Sequence, residues 1–479
     1  MRHTVAFEGE ITADEARQSR YLYLPFEIPR AASRIEVAYH YSNPDTTEFT
    51  TGTGNSIDIG IFDPRGTAFL EHNGFRGWSG AARSLFYLAP RDATPGYLPG
   101  PLPPGEWTLV LGLNKVDEGG CRYYLSVNVD MDAVREPEVE EVGPVPAPPT
   151  PVQEVPTSGP GGVWYRGDLH AHSVHSDGLN TVEELVVSAR ERGLEYLAVT
   201  DHNTTSHHAE LERLTGYGLC LLPGEEITTY LGHANVWGLR EWADFRCTDG
   251  DAMNAVLRWA AERNAMVSVN HPKEVGPPWL FDDRVSGYHC MEVWQAPWRF
   301  HNEESLARWD ALLKQGHRIV AVGGSDTHSV PPARQRHPHG LGNPTTWVYV
   351  NGPLTEATVL GAIRQGHVFI SEGPQGPQLY LTAQAGVTTT AMMGDTLRTE
   401  GGPVTVRVRV IGGSGHKLHL MTEQKTLKVL PVDGDDVTHE LHVDPKNLRY
   451  VRAELRGLRG RPERGEVVWA MTNPVWFEP

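Results

Sequence analysis

Tyr165-Arg-Gly-Asp-Leu-His-Ala-His-Ser-Val-His-Ser-Asp-Gly178 places His170 and His172 two residues apart at what reads as a strand end. Side chains two apart on a strand point the same way, so the two imidazoles can grip one cation. Asp168, His175 and Asp177 crowd the same few residues, and Gly178 lets the backbone turn before a helix begins. This is the layout of a catalytic metal site at the mouth of a β/α unit. With 22 histidines in 479 residues, roughly one His-x-His arises by chance, and His337-Pro-His339 is a second. The first pair gains its weight from residues further along the chain.

Asn180-Thr-Val-Glu-Glu-Leu-Val-Val-Ser-Ala-Arg-Glu-Arg-Gly193 offers a cap residue, a Glu three on, apolar positions at helical spacing and a closing glycine. A buried strand comes next and ends in Asp201-His202-Asn203. The pattern continues with strands over 219–228 and 233–237, a helix over 252–263, strands over 266–271 and 291–294, a helix over 303–314, and a strand over 318–328. Strands alternating with helices predict a parallel β/α barrel, whose active site gathers at the C-terminal ends of its strands. His170/His172, His202, Glu226, His271 and Asp326/His328 all fall at such ends and should converge. Any one of them alone reads as a hydrogen-bonded side chain, but the set at repeated strand ends reads as a metal centre. Imidazole nitrogen and carboxylate oxygen without thiolate suit zinc, manganese or iron, and one carboxylate can bridge two ions.

The flanks are different. Residues 1–132 show short alternating stretches rich in β-branched and aromatic residues, which predict a β-sandwich or jelly roll. Its Trp78 and Tyr97, taken as exposed, read as packing or an oligomer contact. Residues 133–161 are proline-rich without periodicity and read as an extended linker, and strict alternation over 374–479 predicts a small immunoglobulin-like sandwich. A net charge of -18 argues against a broad nucleic-acid surface. The lack of an apolar run long enough for a span or a leader points to a cytoplasmic protein without membrane contact. Four scattered cysteines read as reduced thiols.

Asp168-Leu-His-Ala-His-Ser, Ser176-Asp-Gly, Thr200-Asp-His-Asn, Pro223-Gly-Glu-Glu, Asn270-His-Pro and Gly324-Ser-Asp-Thr-His resemble the motifs of the PHP (polymerase and histidinol phosphatase) superfamily of metal-dependent hydrolases. The flanking β-domains and Gly366-His-Val-Phe-Ile-Ser-Glu-Gly-Pro look more like its carbaryl-hydrolase branch, CehA/McbA. The resemblance implies a multidomain chain with a distorted seven-stranded β/α barrel over 162–373 and two or three divalent ions, zinc, manganese or iron. It implies that His170, His172 and Asp326 hold one ion, that Glu226 bridges to a second bound by His271, and that Asp177, His202 and His328 hold a third. The family's usual Gly-x-Glu at the bridge implies Glu226 rather than Glu225, whose side chain should point the other way along the strand. His233 is either a ligand or a donor to substrate.

The chemistry implied is hydrolysis of a small-molecule substrate by a metal-bridged hydroxide, with His233, Asp326 and Glu226 in catalytic roles. Lys273, Arg299, Arg334, Arg336, His337 and His339 lie in loops after strands and could bind an anionic group. Phosphate mono- and diesters are the superfamily's usual substrates. Trp279, Phe281, Trp294, Trp298 and Phe300, placed at the barrel mouth, suit aryl carbamates or esters instead. A barrel that has lost activity and serves as a binding protein is the third reading.

Overall fold

The computed structural model describes residues 2–47, 52–71, 74–131, 161–274, 277–281, 284–330, 340–387, 389–399, 401–460 and 465–479. Nearly all of the proline-rich stretch 133–161, together with Arg334, Arg336, His337 and His339, lies outside them.

The N-terminal region contains β1 (Arg2–Ile11), α1 (Ala13–Gln18), β2 (Tyr21–Ile28), β3 (Arg34–Tyr41), β4 (Ser56–Phe62), β5 (Phe75–Gly80), β6 (Leu85–Leu88), β7 (Gly105–Lys115) and β8 (Cys121–Asp130). They form two four-stranded antiparallel sheets, ordered β1-β8-β3-β6 and β2-β7-β4-β5. Alternation decides the faces: Leu125, Val127 and Val129 of β8 enter the core while Tyr124 points outward, and each buried aliphatic contributes about 1.5–3 kcal/mol. Trp78 and Tyr97, expected at the surface, are 3% and 1% exposed. Tyr97 stacks on Phe86, with centroids 3.9 Å apart, and Trp78 packs on Phe245 of the central region at 4.6 Å. Their rings fill a domain core and a domain interface, so neither is available to a ligand.

The central region runs β9 (Val163–Asp168), α2 (Val182–Glu191), β10 (Tyr196–Val199), α3 (His208–Arg213), β11 (Cys220–Thr229), β12 (Gly232–Trp237), α4 (Gly250–Glu262), β13 (Met266–Val269), β14 (Cys290–Gln295), α5 (Asn302–Gln315), β15 (Val320–Gly324), β16 (Thr345–Val350), α6 (Glu356–Gln365) and β17 (Val368–Ser371). The cap of α2 is Thr181, whose hydroxyl accepts the Glu184 N–H while Glu184 accepts the Thr181 N–H. The strand order is β15-β14-β13-β12-β11-β10-β9-β16-β17. Two strands depart from the expected parallel arrangement: β16 runs antiparallel to both β9 and β17, and β12 to both β11 and β13. Only Tyr230 and Leu231 separate β12 from β11, which is a hairpin and far too short for a crossover helix. The ends of β9 and β15 are tied by the Ala171–Thr327 bridge and by the His172 and Asp326 N–H groups, which donate to Thr327 and His170 carbonyls.

The C-terminal region comprises β18 (Gln378–Ala385), β19 (Thr389–Met392), β20 (Thr396–Arg398), β21 (Val404–Ile411), β22 (Lys417–Met421), β23 (Thr426–Pro431), β24 (Asp436–Val443), β25 (Tyr450–Leu458), β26 (Glu466–Thr472) and β27 (Val475–Glu478). β17 pairs with β26, so the central sheet continues through β26-β25-β22-β23, while β19-β18-β21-β24 forms a separate sheet. Trp164, Trp347 and Phe369 of the central region share a core with Leu379, Val406, Leu418 and Val475. The two regions are thus joined by backbone hydrogen bonds as well as by packing. No helix among the described residues is long and apolar enough to cross a membrane, and all four cysteines are free.

Candidate metal centre

The strand ends deliver nine donor residues to one place. His170, His172 and Asp177 follow β9, His202 follows β10, Glu226 and His233 face each other from the β11–β12 hairpin, His271 follows β13, and Asp326 and His328 follow β15. They fall into four groups whose ligand atoms lie within 4.8 Å of one another: His172/Asp177/His202/His328, His170/His172/Asp326, His170/Glu226/His271 and His202/Glu226/His233. Glu226 is the hub. Its carboxylate lies 2.8 Å from His202 Nδ1, 3.3 Å from His170 Nε2 and His233 Nδ1, 3.4 Å from His271 Nε2 and 3.5 Å from His172 Nε2.

Two observations fit this donor set to cations. Glu226 Oε2 and His170 Nε2 are fully buried and have no hydrogen-bond partner, although a buried polar atom left unpaired costs about 1–3 kcal/mol. The set also mixes imidazole nitrogen with carboxylate oxygen, the ligands of zinc, manganese and iron. Side-chain exposure grades from 0% at His170, His172 and Glu226 through 16% at Asp326 and 20% at His202 to 38% at His328 and 46% at Asp177. The floor is closed, and anything approaching from solvent meets Asp177 and His328 first.

Electrostatics divides the cluster by charge. Burial alone would raise Glu226 and Asp326, but the surrounding imidazoles, His170 foremost, hold both carboxylates well below their usual range. Burial together with His328 and His202 pushes His172 down to about 4. For His328 burial opposes the charge, yet Asp177 lifts it to about 10. Burial lowers His233 despite Glu226, so at neutral pH its imidazole is neutral and can accept a proton.

Other buried groups aim these donors. Asp168 accepts N–H bonds from His170, Ser325 and Gly342, so it ties three segments together and does not join the donor groups. Asp201 accepts the Ser173 N–H and hydroxyl and the Ser176 hydroxyl, fixing the loop that carries Asp177. Glu292 Oε1 lies 2.9 Å from His170 Nδ1 and its Oε2 accepts the His271 N–H, which turns the Nε2 edge of His170 toward Glu226. Asn270 Nδ2 donates to Glu226 Oε1 at 2.7 Å. A Cβ on Gly324 would sit 2.4 Å from His170 Cβ and 2.5 Å from Glu292 Oε1, so only glycine admits this approach. Asp326 and His271 hold φ of 51° and 28°, a left-handed backbone that costs a non-glycine residue about 1–3 kcal/mol and is typical of functional sites.

Several residues singled out from the sequence contribute no donor atom to the cluster. His175 contacts Ser206 and Glu210. Glu225, on the opposite side of β11 from Glu226, accepts the Ala243 N–H. Lys273 is 6% exposed and donates to Gln295 Oε1 and the Phe300 carbonyl, and burial pushes it down to about 8. Arg299 donates to the Arg459 carbonyl of the C-terminal region. The aromatic mouth needs correction: Trp294 and Trp298 belong to a core with Trp309 and Tyr450, Trp279 and Phe281 to another with Trp242 and Phe245, and only Phe300, 42% exposed, faces solvent. Glu292, Asn270 and Gln295 carry no sequence expectation. The signal for Glu292 is a lone charge inside the apolar strand Cys290-Met-Glu-Val-Trp, since a buried charge requires a partner.

Known proteins match parts of the chain. A model of the PHP domain matches residues 168–238. The chain is similar to the 5'-3' exoribonuclease Rnm of Salmonella typhimurium, 47% identical over 66 residues, which is 13% of this chain and 22% of that protein. It is similar to the phosphoribosyl 1,2-cyclic phosphate 1,2-diphosphodiesterase of Eggerthella lenta, 39% identical over 64 residues, 13% of this chain and 24% of that enzyme. Both matches span about a quarter or less of the relative. Among solved structures, a two-domain protein from Bacteroides vulgatus containing a predicted PHP-like metal-dependent phosphoesterase aligns at TM-score 0.39 and 16% identity, covering 68% of this chain and all of that one. Residues 168–238, the span that the PHP-domain model matches, hold six of the nine clustered donors.

Proposed function

We propose that the chain is a metal-dependent hydrolase that cleaves phosphate mono- or diesters of small molecules. The observation that carries the reading is the fully buried Glu226 carboxylate amid imidazoles from five separate positions on the strand ends. The short matches to two phosphodiester-cleaving enzymes support phosphorus over carbon as the centre attacked. We read the strands β9–β15, tied end to end through Ala171 and Thr327, as one distorted seven-stranded barrel.

His170, His172 and Asp326 would hold one ion, Glu226 and His271 a second beside it, and Asp177, His202 and His328 a third, so two or three ions fit. Such ions, when bound, lower the pKa of coordinated water toward neutrality and stabilise charge on a phosphoryl oxygen. The chain's own part is positioning. Glu292 and Asn270 orient the floor, and Asp201 steadies the Asp177 loop. His233, neutral and 12% exposed beside Glu226, can take a proton from the attacking water and then hand that proton to the leaving oxygen.

Aryl carbamate or ester cleavage is the sequence alternative, and it draws on five aromatic residues of which four are packed into cores. The Gly366–Pro374 run that suggests the carbaryl-hydrolase branch lies in and beside β17, where His367 pairs with Asp395 and Glu372 with Arg459, away from the cluster. The test is to assay metal-loaded protein on aryl phosphate, bis-aryl phosphate and aryl N-methylcarbamate, with Asp326→Asn as blank. A carbamate kcat/KM more than about 100-fold above both phosphate values, some 2.7 kcal/mol of transition-state preference, overturns the assignment.

A further inference from the structure

Lys273 can only donate, and it is buried among acceptors: Gln295 Oε1 at 2.5 Å, the Phe300 carbonyl at 2.5 Å and Asn302 Oδ1 at 3.4 Å. An ammonium in that position settles how the Gln295 amide is turned, because the amide must present its oxygen to Lys273. Its NH2 then faces the other way and donates to Asp326 Oδ2 at 2.8 Å. The main chain of Gln295 is clamped as well: its N–H donates to Asn302 Oδ1 and its carbonyl accepts from Asn302 Nδ2, at 2.9 and 2.8 Å. With Oδ2 occupied, Asp326 turns Oδ1 toward His172 Nε2 at 2.9 Å and His170 Nε2 at 3.3 Å.

We propose that Lys273 and Gln295 are positioning residues that fix which oxygen of Asp326 faces the metal-binding donors. The proposal rests on the metallohydrolase reading. It replaces the expected role of Lys273 as a contact for an anionic substrate, since the ammonium is already committed to protein oxygens. A flipped Gln295 would set its carbonyl against Asp326 Oδ2, oxygen against oxygen, and Asp326 would swing to relieve the contact.

The sign of one effect separates this role from simple electrostatics. Removing a buried positive charge should tighten cation binding by Coulomb's law, whereas loss of an aiming contact to a metal ligand weakens metal affinity about 10- to 100-fold. Affinity for Zn²⁺ and Mn²⁺ is measured by competition with a chromophoric chelator, alongside kcat and KM on an aryl phosphate. The expectation for Lys273→Met is weaker metal binding and a lower kcat at non-saturating metal, with KM within about 2-fold. The double variant Lys273→Met/Gln295→Met should bind metal no more weakly than Gln295→Met alone, because the lysine acts through the glutamine.

Tighter or unchanged metal binding in Lys273→Met, a KM raised more than 10-fold, or additive losses in the double variant each overturn the proposal. If Lys273→Met does not fold, Gln295→Met decides alone, and unchanged metal affinity there overturns it. A wild-type protein that binds no ion overturns the hydrolase reading and this inference with it. Wild type and variants binding ions equally well overturn only the inference.

Discussion

Replacing Glu226 by glutamine is the sharpest perturbation the site offers. The amide keeps the size and shape of the carboxyl group, and one of its ends can still meet Asn270, so packing on β11 is preserved. What is lost is the negative charge that five imidazoles surround at 2.8–3.5 Å. Breaking a buried charge pair from one side costs about 3–5 kcal/mol, which corresponds to a roughly 150- to 5,000-fold loss of ion affinity. Elemental analysis after dialysis should therefore show Glu226→Gln short of at least one ion per chain, with turnover of a bis-aryl phosphate nearly abolished. Glu225→Gln is the matched control. Its carboxyl lies on the other side of the strand, is pushed well above its usual range by burial, and accepts the Ala243 N–H, a bond the amide oxygen retains. That variant should keep metal and activity within a few-fold. Full metal in Glu226→Gln, or loss confined to Glu225→Gln, would refute the assignment of the bridge.

Glu292→Gln should lower metal affinity about 10- to 100-fold while leaving the fold intact, because it weakens the contact that aims His170; calorimetric titration with Zn²⁺ checks this. Gly96, at φ 99°, lies where a Cβ would come 2.8 Å from the His175 carbonyl and 2.9 Å from that of Trp78. Gly96→Val should cost about 2–5 kcal/mol in urea unfolding, and a loss below 1 kcal/mol would contradict the tight docking of the N-terminal region on the Ser173–Asp177 loop. Asp58 accepts the Tyr230 hydroxyl across the same interface, and burial pushes it up to about 7, with the Tyr230 bond opposing. The folded protein then holds a proton that the unfolded chain releases near pH 4. The contribution of Asp58 is therefore most favourable below pH 4 and is lost as pH rises to 7, with a ceiling of about 1.4 kcal/mol per pH unit. Asp58→Asn should gain stability relative to wild type over that window in thermal melts at pH 4 to 8, and a constant difference would contradict the shift.

Much of the donor set is legible in the sequence because a strand's C-terminal end is a place of its own. Polar residues there interrupt an apolar run, as in Val199-Thr-Asp-His202 or Val269-Asn-His271, and a β/α succession brings such ends together. Less is legible where a residue's role depends on which way the side chain turns. Trp294 and Trp298 sit in sequence beside a site loop yet pack against Trp309 and Tyr450, and nothing in their spacing distinguishes a mouth from a core. Gln295 and Asn270 are ordinary polar residues until their partners across the fold are known. The antiparallel β12 comes from a two-residue connection that propensity alone leaves ambiguous, and the continuation of the central sheet through β17 and β26 joins residues about 100 positions apart. Long-range pairing of that kind leaves no local trace.

Whether these donors bind divalent ions on which phosphoester hydrolysis depends is tested by stripping the protein with a chelator, titrating Zn²⁺, Mn²⁺ or Fe²⁺ back, and measuring hydrolysis of aryl phosphate and bis-aryl phosphate against ions bound per chain. Negligible turnover is predicted for the stripped protein, with recovery that rises until two or three ions are bound. Undiminished turnover without metal, or a protein carrying two or more ions that hydrolyses neither ester, would contradict the proposed function.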